Sequence, residues 1–278
     1  RFGYQKYGVS VPGGMDTFAL RIANLLVGNA EGKAVLEMSM LGSDLKLLHD
    51  LTVAFTGGEF CPHVNGQPVS MWCSLALNKG DIISFPAQLP QSGFRAYMAV
   101  GGGLDVPVIM GSTSTHLLSQ LGGYGRRLEK GDILNVSNFP VFEGSCSLKK
   151  DQIPIYPKVW NVHVIPGPQE DYFSAKGIKT FYSKPYEITL DSNRMGYRLE
   201  GPEIEHKHGA DILSDATPSG SIQVPGDGKP IILLADGQTT GGYAKIGVVI
   251  SPDQDLLAQS AIGNKLRFQQ VNIVEAYR

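Results

Sequence analysis

Apolar residues in this chain come in short runs, each cut off by Gly, Pro, Asn or Asp. They stand at residues 51–56, 81–86, 95–100, 159–165, 231–235 and 246–250, and are rich in Val, Ile, Phe and Tyr. Such runs predict strands, because β-branched and aromatic side chains fit a pleated, half-buried surface. Between Val64 and Val69, Asn65-Gly66 predicts a type I′ hairpin turn, whose two central residues both need positive φ. Asp227-Gly228 is a second candidate of that kind. Helical spacing is rarer. Met15, Phe18, Ala19, Ile22, Leu25 and Leu26 recur at the helical period, and Gly28 suits the stop. Shorter helices are expected over 114–121, ended by Gly122-Gly123, and over 254–260.

The expected fold is therefore mostly β, with a few short helices. The stretch 138–157 holds Pro140, Gly144, Pro154 and Pro157 beside Lys149-Lys150-Asp151, with little periodicity, and marks a boundary. The division predicted is a β-rich N-terminal subdomain over 1–150 and a C-terminal β-barrel subdomain over 151–278 that carries the main polar site. Similar turn segments, Lys79-Gly80-Asp81, Lys130-Gly131-Asp132 and Gly263-Asn264, hint at related units without establishing a repeat.

Composition narrows the function classes. With 278 residues, 42% hydrophobic and 18% charged, the chain can bury a sizeable core and is not a disordered polymer. A net charge of −2 with no basic run longer than two residues disfavours a nucleic-acid groove. Cys61, Cys73 and Cys146 are too few and too scattered for a disulfide framework and read as reduced, mostly buried thiols. No apolar run reaches the roughly 18 residues of a membrane span, and no signal peptide is evident, so cytoplasm is the expected location. The chain opens at Arg1 rather than Met, which leaves open a native start further upstream.

Phosphate-loop and nucleophile-elbow motifs do not occur. Gly101-Gly102-Gly103 follows a strand run but lacks the lysine, and reads as a tight turn. His206-Lys207-His208 lacks further ligands and reads as a solvated loop, so no metal is expected. The second half is richer. Arg194 and Arg198 lie four apart; if extended, both share one face, as forks for a substrate carboxylate or as partners of Glu200 or Glu203. In Gly220-Ser221-Ile222-Gln223-Val224-Pro225, Ser221 and Gln223 alternate with apolar residues, and an amide such as Gln223 can both donate and accept. Taken alone, that segment reads as an exposed strand face. The segment 235–245 packs Asp236, Gln238, Thr239, Thr240, Tyr243 and Lys245 around three glycines. Asp236 suits a base or an orienting acceptor and Lys245 an anion binder.

These strings carry a family resemblance. Asn193-Arg194-Met195-Gly196-Tyr197-Arg198-Leu199-Glu200-Gly201-Pro202, the Gly220 to Pro225 segment and Asp236-Gly237-Gln238-Thr239-Thr240-Gly241-Gly242-Tyr243 resemble signatures of the KipA family. That family is also called the 5-oxoprolinase C-type subunit (PxpC), allophanate hydrolase subunit 2 or biotin-dependent carboxyltransferase family. Arg1-Phe2-Gly3-Tyr4-Gln5, Gly13-Gly14-Met15-Asp16, Ala23-Asn24-Leu25-Leu26-Val27-Gly28-Asn29, Leu36-Glu37 and Gly111-Ser112-Thr113-Ser114-Thr115 agree with it. Departures are Ser214-Asp215 where Ser-Glu is common, Ala261-Ile262-Gly263-Asn264 where Arg-Pro-Gly-Asp is usual, and the lack of a strand and a Gln-Asp-Leu-Gly-type segment before Arg1.

The resemblance implies two cyclophilin-like β-barrel subdomains and work as the C-type subunit of an ATP-dependent 5-oxoprolinase. That enzyme opens 5-oxo-L-proline to L-glutamate together with an A-type subunit and a KipI-like, B-type subunit. ATP is then expected on a partner, and this chain alone is expected to be inactive. The resemblance also admits a KipI-binding regulator of a sporulation kinase, and a biotin-dependent carboxyltransferase acting on a urea-like substrate; biotin enters only in that last case. Joined to the residues, the expected catalytic groups are Asp236, Gln238 and Lys245. The expected substrate-binding groups are Arg194, Arg198, Ser221, Gln223, Thr239, Thr240 and Tyr243.

Overall fold

A computed structural model describes residues 1–86, 92–137 and 144–277. Two compact units emerge: Asp16–Tyr156, and a second that joins Arg1–Met15 to Pro157–Arg278. Residues 138–143 of the punctuated stretch lie outside the described residues.

In the unit Asp16–Tyr156, helix α1 (Thr17–Leu26) precedes strands β1 (Leu36–Ser39), β2 (Leu45–Lys46), β3 (Leu51–Gly57), β4 (His63–Val64), β5 (Gln67–Pro68), β6 (Ser74–Leu77), β7 (Ile82–Ser84) and β8 (Arg95–Val100). Two four-stranded sheets form, ordered β1-β8-β3-β6 and β2-β7-β4-β5. Both faces of β3 and β8 are covered, which is why those strands read as unbroken apolar runs rather than alternating ones. Val53, Phe55, Met98 and Val100 turn to one core, and Ala54, Tyr97 and Ala99 to the other, under α1. Asp16 caps α1 by accepting from Ala19 N at 2.8 Å, and Gly28 takes φ 76° just past its end. Asn65 (φ 50°) and Gly66 (φ 79°) make the expected turn between β4 and β5.

Residues 114–121 are not helical. They form turns bridged between His116 and Leu121, whose amides and carbonyls exchange bonds of 2.8 and 3.2 Å. The Ser112 hydroxyl offers Ser114 N a local partner at 3.2 Å, and Gly122-Gly123 end the pattern, so turn chemistry outcompetes the helix. The three amides of Gly101-Gly102-Gly103 are used inside the fold, by Thr52 O, Asn29 Oδ1 and Val100 O. That turn therefore holds no cradle of free N–H groups for a phosphate.

The second unit contains β9 (Val159–Pro166), α2 (Ala175–Ser183), β10 (Tyr186–Ile188), β11 (Gly196–Glu200), β12 (Asp211–Ala216), β13 (Ser221–Gln223), β14 (Ile231–Leu233), β15 (Thr240–Tyr243), β16 (Lys245–Val249), α3 (Ser251–Leu257), β17 (Lys265–Gln270) and α4 (Ile273–Ala276). Seven strands close a barrel in the order β10-β11-β14-β13-β16-β9-β17. The β9 and β17 pair is parallel and the other ladders antiparallel. Trp160, Val162 and Val164 alternate with more exposed residues along β9, and Leu266 and Phe268 do so along β17, the period of a barrel wall. Phe181 of α2 stacks on Phe268 with centroids 4.4 Å apart. The expected helix over 254–260 starts earlier, at Ser251, with a proline in its first turn.

Asp227-Gly228 differs from its expectation. Only Gly228 has positive φ, 71°, and its amide donates to Pro225 O at 3.0 Å, so a longer loop joins β13 to β14. Its Cβ would meet Ile204 N at 3.0 Å, so close approach, rather than a two-residue hairpin, selects this glycine. No helix among the described residues is long and apolar enough to cross a membrane.

Candidate functional site

The polar residues of the second unit gather around the connection from β14 to β15. The β11 and β14 ladder continues past its strand ends, with Leu234 N donating to Met195 O and Asp236 N to Arg194 O, both at 3.0 Å. That extension sets Arg194 opposite Asp236. The guanidinium donates through Nε to Asp236 Oδ2 at 2.9 Å and through Nη2 to Asp236 Oδ1 at 3.0 Å, a bidentate fork. Nη2 also reaches Gly13 O at 2.5 Å, and Ser10 Oγ donates to Gly237 O at 2.9 Å. The N-terminal segment thus ties down this turn. Arg1 is buried as well; burial pushes its guanidinium below the ordinary value, and the Asp236 carboxylate opposes that shift.

Arg194 and Arg198 therefore have different surroundings and do not share one face. Arg194 precedes β11 and spends its fork on Asp236, while Arg198 lies exposed on β11, beside a recess bordered by Thr189, Asp191 and Lys229. Regular strand alternation does not run back from β11 to Arg194, because the chain turns there: Asn193 N bonds Gly196 O at 3.1 Å.

Ser221 and Gln223 are buried, so β13 is not an exposed strand face. Ser221 Oγ has no hydrogen-bond partner among the described residues. Gln223 accepts from Gln238 Nε2 at 3.3 Å and donates to Tyr243 O at 3.4 Å. A Cβ on Gly241 would stand 2.5 Å from Gln223 Nε2, so Gly241 makes room for this amide. Thr217 fastens the same turn, donating from Oγ1 to Gln238 O at 2.7 Å and from N to Thr239 O at 3.0 Å. Thr239 is half-buried, and Thr240 and Tyr243 are exposed.

Lys245 pairs with Gln223 across β13 and β16. Its side chain is 3% exposed, yet its ammonium donates to Asp215 Oδ2 at 2.5 Å and Ala216 O at 2.8 Å. Asp215 comes from β12, which among the described residues pairs only with β15 in a two-stranded ribbon. The hydrogen bond from Lys245, then that from the Ala216 amide, holds the Asp215 carboxyl below the usual range. Gln169 joins the group by donating to Asp215 Oδ2 at 3.5 Å and accepting from Lys245 N at 3.3 Å.

Gln238 thus meets Gln223, Lys245 stands opposite Gln223 in the ladder, and Arg194 holds Asp236 two residues before Gln238, whereas Arg198 and Ser221 stand apart from these hydrogen bonds. Asp215, Gln169, Thr217 and Arg1 are not among the expected site residues. Asp215 stands out in the sequence only as a departure from Ser-Glu, and no local pattern marks the others, because their partners lie far along the chain.

The fold and site define a mostly β protein with a closed seven-strand barrel, a pair of bonded amides and a buried ammonium held by a carboxylate. The chain belongs to the family described as carboxyltransferase domain, subdomain A and B, which it matches over residues 7–270. It is 34% identical to the C subunit of 5-oxoprolinase from Haemophilus influenzae, over 99% of this chain and 87% of that protein. The same identity holds with its counterpart from Escherichia coli, over 100% and 88%. It is 31% identical to urea amidolyase of Saccharomyces cerevisiae, over 96% of this chain and 15% of that protein. The solved urea amidolyase of K. lactis superposes with a TM-score of 0.93 at 30% identity, covering 100% of this chain and 18% of that one. Other solved structures, with a TM-score of 0.87, are about twice as long, the chain covering 52% of them.

Proposed function

We propose that this chain works as the C-type subunit of an ATP-dependent 5-oxoprolinase, which converts 5-oxo-L-proline, water and ATP to L-glutamate, ADP and phosphate. The observation that carries this reading is the 34% identity with two bacterial 5-oxoprolinase C subunits along nearly the whole of both chains. The substrate is a cyclic amide with a carboxylate, and the network supplies matching groups. Gln223 and Gln238 offer amides to an N–C=O group, and Lys245 an ammonium to charge developing on its oxygen. Asp236, held by Arg194, fixes the turn that presents Gln238, Thr239 and Thr240. Tyr243 and Arg198 stay exposed for the substrate or for a neighbouring protein of the complex.

In this reading a partner holds ATP; the amides of the glycine turn, already used within the fold, are consistent with that turn not serving phosphate. The partners are an A-type subunit and a KipI-like, B-type subunit, and the complex is assigned to the cytoplasm. The likeness to urea amidolyase favours a second reading, carboxyl transfer from a biotin carried on another chain.

Glutamate release from 5-oxoproline and ATP, measured with this chain and its A-type and B-type partners and with each omitted in turn, tests the proposal. Activity that needs all three supports it. Activity unchanged without this chain removes it in favour of carboxyl transfer or partner regulation.

A further inference from the structure

We infer that Asp215 is a positioning residue for Lys245, fixing the direction in which the buried ammonium presents its remaining N–H. The inference rests on the proposed role of Lys245 in the site and adds a residue to it. An ammonium on a four-carbon stem is a rotor with three equivalent donors. Here two donors are engaged, by Asp215 Oδ2 at 2.5 Å and Ala216 O at 2.8 Å. Two acceptors on adjacent residues stop the rotor, and the third N–H is left with one direction. Fixed donors need no reorganisation as charge develops, which is where they lower a barrier.

The local architecture fits this purpose better than packing. Along β12, Ile212 alone is half-buried and the other five side chains are exposed, so the strand adds little to a core. Its register with β15 shifts between Asp211 and Asp215, spending four steps on β12 against two on β15. Irregularities of this kind re-aim side chains beside sites. Gln169 Nε2 contacts the same Asp215 oxygen at 3.5 Å. The Asp215 carboxyl lies below the usual range, chiefly through the Lys245 hydrogen bond, and so stays ionised at neutral pH.

The test uses the reconstituted three-component complex and steady-state kinetics on 5-oxoproline. Asp215→Ala is expected to lower kcat at least tenfold while KM stays within about twofold. Asp215→Glu keeps the carboxylate on one more methylene and is expected to recover most of kcat. Unchanged kcat in Asp215→Ala overturns the inference. So does equal slowing of the Ala and Glu variants together with a lower melting midpoint, which marks a structural role. Lys245→Met separates the levels: an inactive Lys245→Met complex beside a fully active Asp215→Ala complex defeats positioning alone, whereas full turnover in Lys245→Met defeats the site reading and the inference with it.

Discussion

Asp236 and Lys245 both bury a charged group, and the fold compensates each differently. Asp236, with 6% of its side chain exposed, is neutralised face to face by Arg194, while Lys245 reaches out to a half-exposed Asp215. Removing one member of a buried pair strands the other charge, at a cost of about 3–5 kcal/mol. Asp236→Ala is therefore expected to destabilise the second unit by about 3 kcal/mol in urea unfolding, besides lowering turnover. A change under about 1 kcal/mol would show that water reaches the pair freely. Tyr186 tests burial without charge. Its hydroxyl has no hydrogen-bond partner among the described residues, and burial pushes its pKa up to about 12. The fold thus favours the neutral phenol. That contribution is complete below the ordinary value of about 10 and fades as pH rises toward 12, because the unfolded chain gives up its proton first. In Tyr186→Phe, the loss of stability between about pH 10 and 12 should flatten by about 1.4 kcal/mol per pH unit, read from urea midpoints.

Turns and strands differ in how plainly the chain announces them. Asn65-Gly66 is legible because a two-residue hairpin demands positive φ at both positions, a local requirement met by local residues. Nothing lies within 4 Å of a Cβ built on Gly66, so Gly66→Ala carries a conformational cost only, about 1 kcal/mol by thermal or urea unfolding. Gly167 is the contrast. There a Cβ would run into Lys245 O and the Ile246 and Gly247 backbone, where β9 meets β16. Gly167→Ala should lose several-fold more stability than Gly66→Ala, about 3 kcal/mol or more; equal effects would mean that the seam yields. No feature of residues 166–168 announces this, since the obstructing backbone is about 80 positions away along the chain. The strand runs over 95–100 and 159–165 match the observed strands within a residue, while 114–121 does not form its helix, because serine hydroxyls and two glycines outcompete an eight-residue helical pattern.

Across the whole molecule, one tryptophan is buried in each unit, Trp72 in Asp16–Tyr156 and Trp160 in the other. Residues 1–15 supply Gly13 O to Arg194 and Ser10 Oγ to Gly237. Deleting them should lower the unfolding midpoint reported by Trp160 fluorescence in a Trp72→Phe background. The midpoint reported by Trp72 in a Trp160→Phe background should move less. Equal shifts would show that the segment stabilises both units alike. The sequence by itself determined the mostly β character, the short strands, α1 and the family, since these rest on local periodicity, turn chemistry and long ordered strings of residues. It also marked the segment 235–245, where polar groups crowd around glycines. Tertiary structure alone decided which of those groups meet. The fork of Arg194 goes to Asp236 rather than to Arg198's face, and Lys245 meets an aspartate 30 positions before it. A barrel closes by pairing strands distant along the chain, and no local pattern encodes which side chains that closure brings face to face.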